Sequence, residues 1–384
     1  MRDMIALKFM PTIEEIQRWL EEKGGVLATK STIVHRESYF GNDIIAPNSH
    51  VSKGDSRGYM PVELWIMSSV EAENTTRLKD EGLTKIKMLE EDVSLADLKK
   101  AAGQSLFGDY AESWPLTKIL DIGGEVVETS FGTTETPPIP VHFHPSKTEA
   151  YFFPPTDLPP YNKKISAITR IGLKGGVTKE NFKEKIKQFG QNDSIYTLLN
   201  EFSIEPMTGW TVLEKVLHAP GPHPTFEIQR PQDDYHLASW RLGEQLEGNE
   251  RKEKYEEHVL RGIKGEDEYI EKILNWDLTT DQTLQEKYFH KPKTIELGPW
   301  GKRYQIFFDM FYGEGWEILP GQTLEITRKE TPQAGIIWSG QAEINGNKVE
   351  QGGLNEFLAV PQTPLSIKNT GSTTLHIYTV EPIR

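Results

Sequence analysis

Residues 140–149 read Pro140-Val141-His142-Phe143-His144-Pro145-Ser146-Lys147-Thr148-Glu149. In an extended strand, side chains two apart point to the same face. His142 and His144 therefore aim together into one cavity. Pro145 and Ser146 start a turn, which puts Glu149 on or near the returning strand. Two imidazoles and a carboxylate make a facial set suited to Zn, Fe, Mn, Co or Ni. A fourth ligand has to come from a later strand, and His218 in Val216-Leu217-His218-Ala219-Pro220-Gly221 is the candidate. The plain alternative is a metal-free structural role, since a lone buried histidine is usually structural; an HxH pair with a glutamate five residues on is rarer. His223 lies on a Gly-Pro turn and reads as a neighbour of the ligands or a surface residue. His35, His50, His258, His290 and His376 have no partner at ligand spacing and read as ordinary core or surface residues.

Working outward, residues 139–145, 149–155, 164–173, 209–221, 225–229 and 235–242 combine β-branched and aromatic residues with Pro and Gly punctuation, the pattern of strands. Residues 177–200 interrupt them with near-helical spacing of Lys179, Phe182, Ile186 and Phe189. Residues 247–275 form a second, highly charged helical stretch, and a third helix precedes the strand region around residues 91–103. From about Arg303 the chain changes to short strands at regular spacing, separated by Pro-Gly, Asn-Gly and Gly-Gly turn signals. That rhythm predicts a sandwich or small barrel.

Composition narrows the classes. The chain has 384 residues, enough for two domains. It has no cysteine, so thiolate metal sites and disulfides are excluded and any metal must sit on histidine and carboxylate ligands. The lack of cysteine suits a cytoplasmic protein. A net charge of −14 argues against a nucleic-acid partner, while a local basic pocket for an anionic substrate stays open. No apolar run approaches the roughly 18 residues of a membrane span. The start of the chain reads as an amphipathic helix and a poor secretion signal.

The pattern HxHx4E, followed much later by a single histidine, resembles the metal motif of the cupin superfamily. SLADLKK (94–100), WPLTKILDIG (114–123), VHFHPSKTEAYFF (141–153) and the run from LHAPG to FEIQ (217–229) are similar, in this order, to the type I mannose-6-phosphate isomerases. The likeness covers residues 90–384. It implies a mainly β fold of two cupin-type β-barrels (double-stranded β-helices) with helical insertions. Residues 91–300 would form the metal-binding barrel, residues 301–384 a metal-free barrel, and residues 1–90 extra strands of the first, with residues 33–50 and 63–69 as the strand candidates.

The family's ligands are Gln, His, Glu and His. Its glutamine position falls on His142, and His144, Glu149 and His218 match directly. Lys147 matches the family's strand lysine. Glu227 matches the acid of its "E-x-Q" strand, with Gln229 beside it. The arginine expected after that strand falls on His236, with Arg241 five residues later as its substitute. The resemblance implies an aldose–ketose isomerase with one divalent ion, Zn first, acting on a small carbohydrate or sugar phosphate. On that reading Glu227 is the proton-transferring base, and Lys147 and Arg241 orient the substrate, with Arg230 a further anion candidate. Other readings are a metal-dependent dioxygenase or epimerase, an isomerase of unphosphorylated sugars, and a non-catalytic sugar-binding cupin. Unpaired sheet edges in the second barrel are compatible with a homodimer.

Overall fold

The computed structural model describes residues 10–37, 55–88, 91–121, 127–128, 134–135, 138–162, 164–327 and 329–383. With 34% strand against 20% helix it is mainly β. The first half holds a seven-stranded antiparallel sheet in the spatial order Phe289–His290, Gly209–Val212, Glu149–Phe152, Thr225–Gln229, Leu116–Leu120, Met60–Ile66 and Thr32–Arg36. A five-stranded sheet accompanies it, ordered Leu199–Ser203, Ile168–Leu173, His218–Ala219, His142–Phe143 and His236–Leu237. The second half repeats the plan. Its seven strands run Val26–Thr29, Glu356–Ala359, Gln333–Ser339, Leu375–Val380, Gly313–Ile318, Gly301–Phe307 and Lys293–Gly298, beside a four-stranded sheet. Trp316, Ile337 and Ile377 of the larger sheet share one core with Leu324, Ile344 and Ile367 of the smaller.

Among the described residues no sheet closes on itself, so each expected barrel is a pair of packed sheets. A physical reason lies beside the His142–His144 pair. Pro140, Pro145 and Pro220 flank the two-residue strands His142–Phe143 and His218–Ala219, and a proline has no N–H to extend a ladder. The N-terminal residues are divided between the halves. Thr32–Arg36 and Met60–Ile66 extend the sheet of the first half. Val26–Thr29 instead pairs with Glu356–Ala359 in the second, because Val26 is fully buried in that half's core. Most of the strand read at 33–50 lies outside the described residues; its start, to Arg36, is a strand.

The helices are shorter than their periodicity suggests. Residues 177–200 give Lys179–Ile186, capped by Thr178, and a 3-10 turn at Ser194–Leu198. Gly190, at φ 68°, breaks the run. Residues 247–275 give Gly248–Lys254 running into a π-helical Tyr255–Leu260, stopped at Arg261 and Gly262 with positive φ. Ile13–Glu22 starts with a capping box between Thr12 and Glu15. Leu95–Phe107 is capped by Ser94.

Strand alternation positions the site. Ile119, Ala150, Phe152, Phe226 and Ile228 turn one face of the first large sheet toward Ile306, Ile336, Trp338 and Tyr378 of the second. The two large sheets thus pack back to back, and Ile16, Leu20, Leu98 and Phe107 of the two helices join the same core. Emptying one such position, as in Phe226→Ala, costs about 3–5 kcal/mol. The intervening residues Glu63, Lys118, Glu149, Tyr151 and Glu227 are driven to the opposite face, where they line one cleft.

Candidate metal centre

The adjacent strands His142–Phe143 and His218–Ala219 pair so that His142 stands directly opposite His218. His144 follows two residues on. One ring nitrogen from each of the three lies within 4.8 Å of those of the other two. Their other nitrogens are committed to main-chain carbonyls. His142 Nδ1 donates to Pro140 O (2.7 Å), His144 Nδ1 to Asp234 O (2.5 Å) and His218 Nδ1 to Val216 O (2.9 Å). A carbonyl only accepts, so each Nδ1 carries a proton, and in the neutral ring the lone pair is then on Nε2.

Glu149 closes the group from the facing sheet. Its Oε2 lies 3.1 Å from His144 Nε2 and its Oε1 3.1 Å from His218 Nε2. The second contact lacks hydrogen-bond alignment, and His218 Nε2 is a buried nitrogen with no hydrogen-bond partner. Burial and the neighbouring histidines keep the His142 imidazolium unfavourable well below its usual range. Burial, reinforced by Lys147, brings His144 down to about 4. Burial raises the Glu149 carboxyl, but His144 and Lys147 outweigh it and hold it well below the usual carboxylate range. Three clustered imidazoles with Nδ1 committed elsewhere, one carboxylate and a buried His218 Nε2 without a hydrogen-bond partner suit a borderline divalent cation such as zinc.

Around this group the large sheet lays a charged row. Strand register puts Lys118 opposite Glu227 and Glu227 opposite Tyr151, with Glu149 opposite Gln229. Lys118 Nζ lies 3.3 Å from Glu227 Oε1 and 3.5 Å from Glu63 Oε2. Arg36 holds Glu63 through Nε (2.9 Å) and Nη2 (3.2 Å), and its Nη2 reaches Asp233 at 3.0 Å. Lys147 Nζ donates to Gln229 Oε1 (2.5 Å) and stands 3.4 Å from Glu149. The Tyr151 hydroxyl donates to Glu149. Burial and the Glu149 carboxylate push the Glu227 carboxyl up to about 8, against the opposing pull of Lys118.

The structure therefore brings His142, His144, Lys147, Glu149, His218 and Glu227 into one region. It does not bring Arg241 there. Arg241 is absent from the cleft wall; its guanidinium bonds Glu244 and the main-chain oxygen of Glu37. The reason is local: the strand after Glu227 stops at Leu237, and Arg241 follows on a turn beside Trp240. Arg230 faces outward near Glu214, at 4.0 Å. His236 stacks on Phe143 and bonds Val259 O. His223 is fully buried against Phe153. Arg36, Glu63, Lys118, Asp233 and Tyr235 complete the cleft wall and were not singled out by sequence reasoning. For Glu63 and Lys118 a signal existed, a charge inside an otherwise apolar alternation. Two further clusters of potential ligands, His35–Asp55–Glu81 and Glu37–Glu257–His258, already hold Arg57 and Lys254.

No family profile and no curated relative matches the sequence. Solved structures do. A candidate mannosephosphate isomerase from Archaeoglobus fulgidus aligns over 94% of this chain and 98% of its own, at TM-score 0.60 and 15% identity. The mannose 6-phosphate isomerase of Bacillus subtilis aligns over 92% and 99%, at TM-score 0.57 and 15% identity. The chain has the fold of the mannose-6-phosphate isomerases. A mannose 6-phosphate isomerase bound with zinc and yttrium aligns over 93% of this chain and all of its own, at TM-score 0.56 and 10% identity. The mannose-6-phosphate isomerase fold thus spans both halves. Among the described residues no helix is long and apolar enough to cross a membrane.

Proposed function

We propose that this chain is a metal-dependent aldose–ketose isomerase acting on a small sugar or sugar phosphate. His142, His144, Glu149 and His218 would hold one divalent ion, zinc in the first instance. The observation that carries the reading is the set of three clustered, buried imidazoles, each with Nδ1–H spent on a main-chain carbonyl, two of them with Nε2 3.1 Å from a Glu149 oxygen. Fixing the tautomer this way is what a metal ligand needs.

Isomerisation moves a proton between adjacent carbons while negative charge develops on oxygen. The ion, when bound, supplies Lewis-acid stabilisation of that charge. Glu227 takes the carbon-bound proton as a carboxylate and returns it to the next carbon. Its raised pKa makes it a stronger base once ionised, and Lys118 at 3.3 Å stabilises the ionised form. Lys147 and the Tyr151 hydroxyl hold Glu149 in place. A dioxygenase would call for mostly apolar walls. Here Phe143, Phe152, Phe153 and Trp210 pack into other cores, and Tyr151 alone of that aromatic set faces a cleft lined by Arg36, Glu63, Lys118, Glu227 and Asp233.

Elemental analysis and deuterium exchange test this together. The expected result is about one divalent metal per chain, with solvent deuterium entering C1 or C2 of an aldose or its 6-phosphate. Metal without exchange would point to another cupin chemistry, and absence of metal to a binding protein.

A further inference from the structure

The three cations of the cleft wall are already matched. Arg36 bonds Glu63 and Asp233, Lys118 lies between Glu63 and Glu227, and Lys147 lies beside Glu149. An anionic group on a substrate therefore needs a cation from outside that wall. Arg261 is placed to supply one. Its guanidinium carbon lies 5.1 Å from the ring centroid of Tyr235, and Tyr235 lines the cleft. Arg261 is exposed, and among the described residues it has no carboxylate partner.

The backbone there is unusual for an arginine. Arg261 has φ 45° and ψ 43°, a left-handed conformation, directly after the six-residue π-helix Tyr255–Leu260. Such a residue costs about 1–2 kcal/mol unless it is glycine, and glycine stands at the very next position, Gly262. The turn is tied firmly to the metal-bearing sheet. His236 Nδ1 donates to Val259 O (2.9 Å), Tyr269 Oη donates to Leu237 O (3.1 Å), and the strand containing His236 and Leu237 pairs with His142–Phe143. His258 stacks against Tyr235 from the same turn, with centroids 6.3 Å apart.

We propose that Arg261 is a substrate-binding residue that receives the phosphate of a sugar phosphate at the mouth of the cleft. The helical insertion of residues 248–274 then determines specificity, delivering a guanidinium across Tyr235 to a site whose own cations are spent. A planar guanidinium offers two parallel N–H donors to phosphate oxygens, and its stacking on Tyr235 holds it beside the cleft wall. The inference rests on the sugar-isomerase reading for the nature of the substrate, but its first test needs no turnover.

Inorganic phosphate is titrated calorimetrically into the full-length, as-purified protein. Arg261→Ala is expected to weaken binding at least about tenfold, Arg261→Lys to recover part of the loss, and Lys252→Ala, which removes an exposed charge from the same insertion, to leave it unchanged. Arg261→Gly separates binding from a structural role. Glycine suits the left-handed turn, so the melting temperature should rise by about 1–2 °C while phosphate affinity falls as in Arg261→Ala. With mannose 6-phosphate as substrate, Arg261→Ala should raise KM with little change in kcat. Phosphate affinity equal in wild type and Arg261→Ala, or no phosphate binding at millimolar concentration by the wild type, overturns the proposal. Phosphate bound through Arg261 in a protein without isomerase activity would support the anion site and reject the isomerase reading.

Discussion

Glu227 stands directly across the sheet from Lys118, its Oε1 3.3 Å from the lysine Nζ, with both side chains buried. Lys118 is shared with Glu63, so one ammonium serves two buried carboxylates. Burial lowers the lysine's proton affinity, but the fields of Glu227 and Glu63 overcome this and keep it protonated.

Removing that cation should therefore be costly. Lys118→Met takes a buried counter-charge from Glu63, which Arg36 and Lys118 hold ionised, and from Glu227 whenever it ionises, and breaking a buried pair on one side costs about 3–5 kcal/mol. Urea denaturation at pH 7 reads the loss directly. A change under about 1 kcal/mol would mean that the pair does not act as a unit.

His144→Ala should abolish tight metal binding while the second half stays folded. The substitution deletes a ligand, and even the partners that orient metal ligands are worth about 10–100-fold in affinity. Metal content after dialysis, measured beside near-ultraviolet dichroism, checks both parts. Full retention of metal would refute the ligand assignment.

Glu227→Gln is isosteric and leaves the four proposed ligands in place, so metal content should persist. Solvent deuterium exchange into the sugar should fall by about 10²–10⁴, the usual contribution of a positioned base. In the wild type, kcat/KM should rise with pH as Glu227 ionises. Its pKa of about 8 without a metal is drawn lower by a bound cation's field, so the rise is expected below pH 8. Exchange at the wild-type rate in the variant would remove Glu227 from the base role.

Glu356 gives a pH-dependent stability independent of the site. It is fully buried between the halves, with Oε2 accepting from Met67 N (3.0 Å). Burial pushes its carboxyl up to about 8 from 4.5. The folded state thus favours the protonated form. Stability from this group is complete below pH 4.5 and is lost as pH rises through 8. Glu356→Gln cannot ionise and should escape that loss. Its melting temperature relative to wild type should climb between pH 5 and pH 9, by an amount equivalent to a few kcal/mol at the upper end. Equal pH dependence in both proteins would show that Glu356 is not the titrating group.

The meeting of His142, His144 and Glu149 was legible because its information is local. His142 and His144 share a face by the two-residue period of a strand, and Glu149 follows within one turn. The mainly β character was legible for the same reason, from short strands at regular spacing. The helical insertions were only half legible. Periodicity marks an amphipathic face but does not register Gly190, or Arg261 and Gly262, as stops. A count of residues after Glu227 does not reveal where the strand ends, and Arg241 lies outside the cleft wall.

The sequence by itself determined which residue types meet at short range: the HxH pair, its glutamate, the alternation that sends Lys118 one way and Ile119 the other. Only the tertiary structure decided the long-range pairings. Arg36 reaches Asp233, Glu63 and Glu227 share Lys118, Val26–Thr29 joins the second half, and Arg261 settles over Tyr235. The physical reason is that local spacing follows from backbone geometry, whereas these contacts depend on how whole sheets pack. Burial of the apolar faces between the two large sheets fixes that packing, and the charged faces are left to find partners across the cleft.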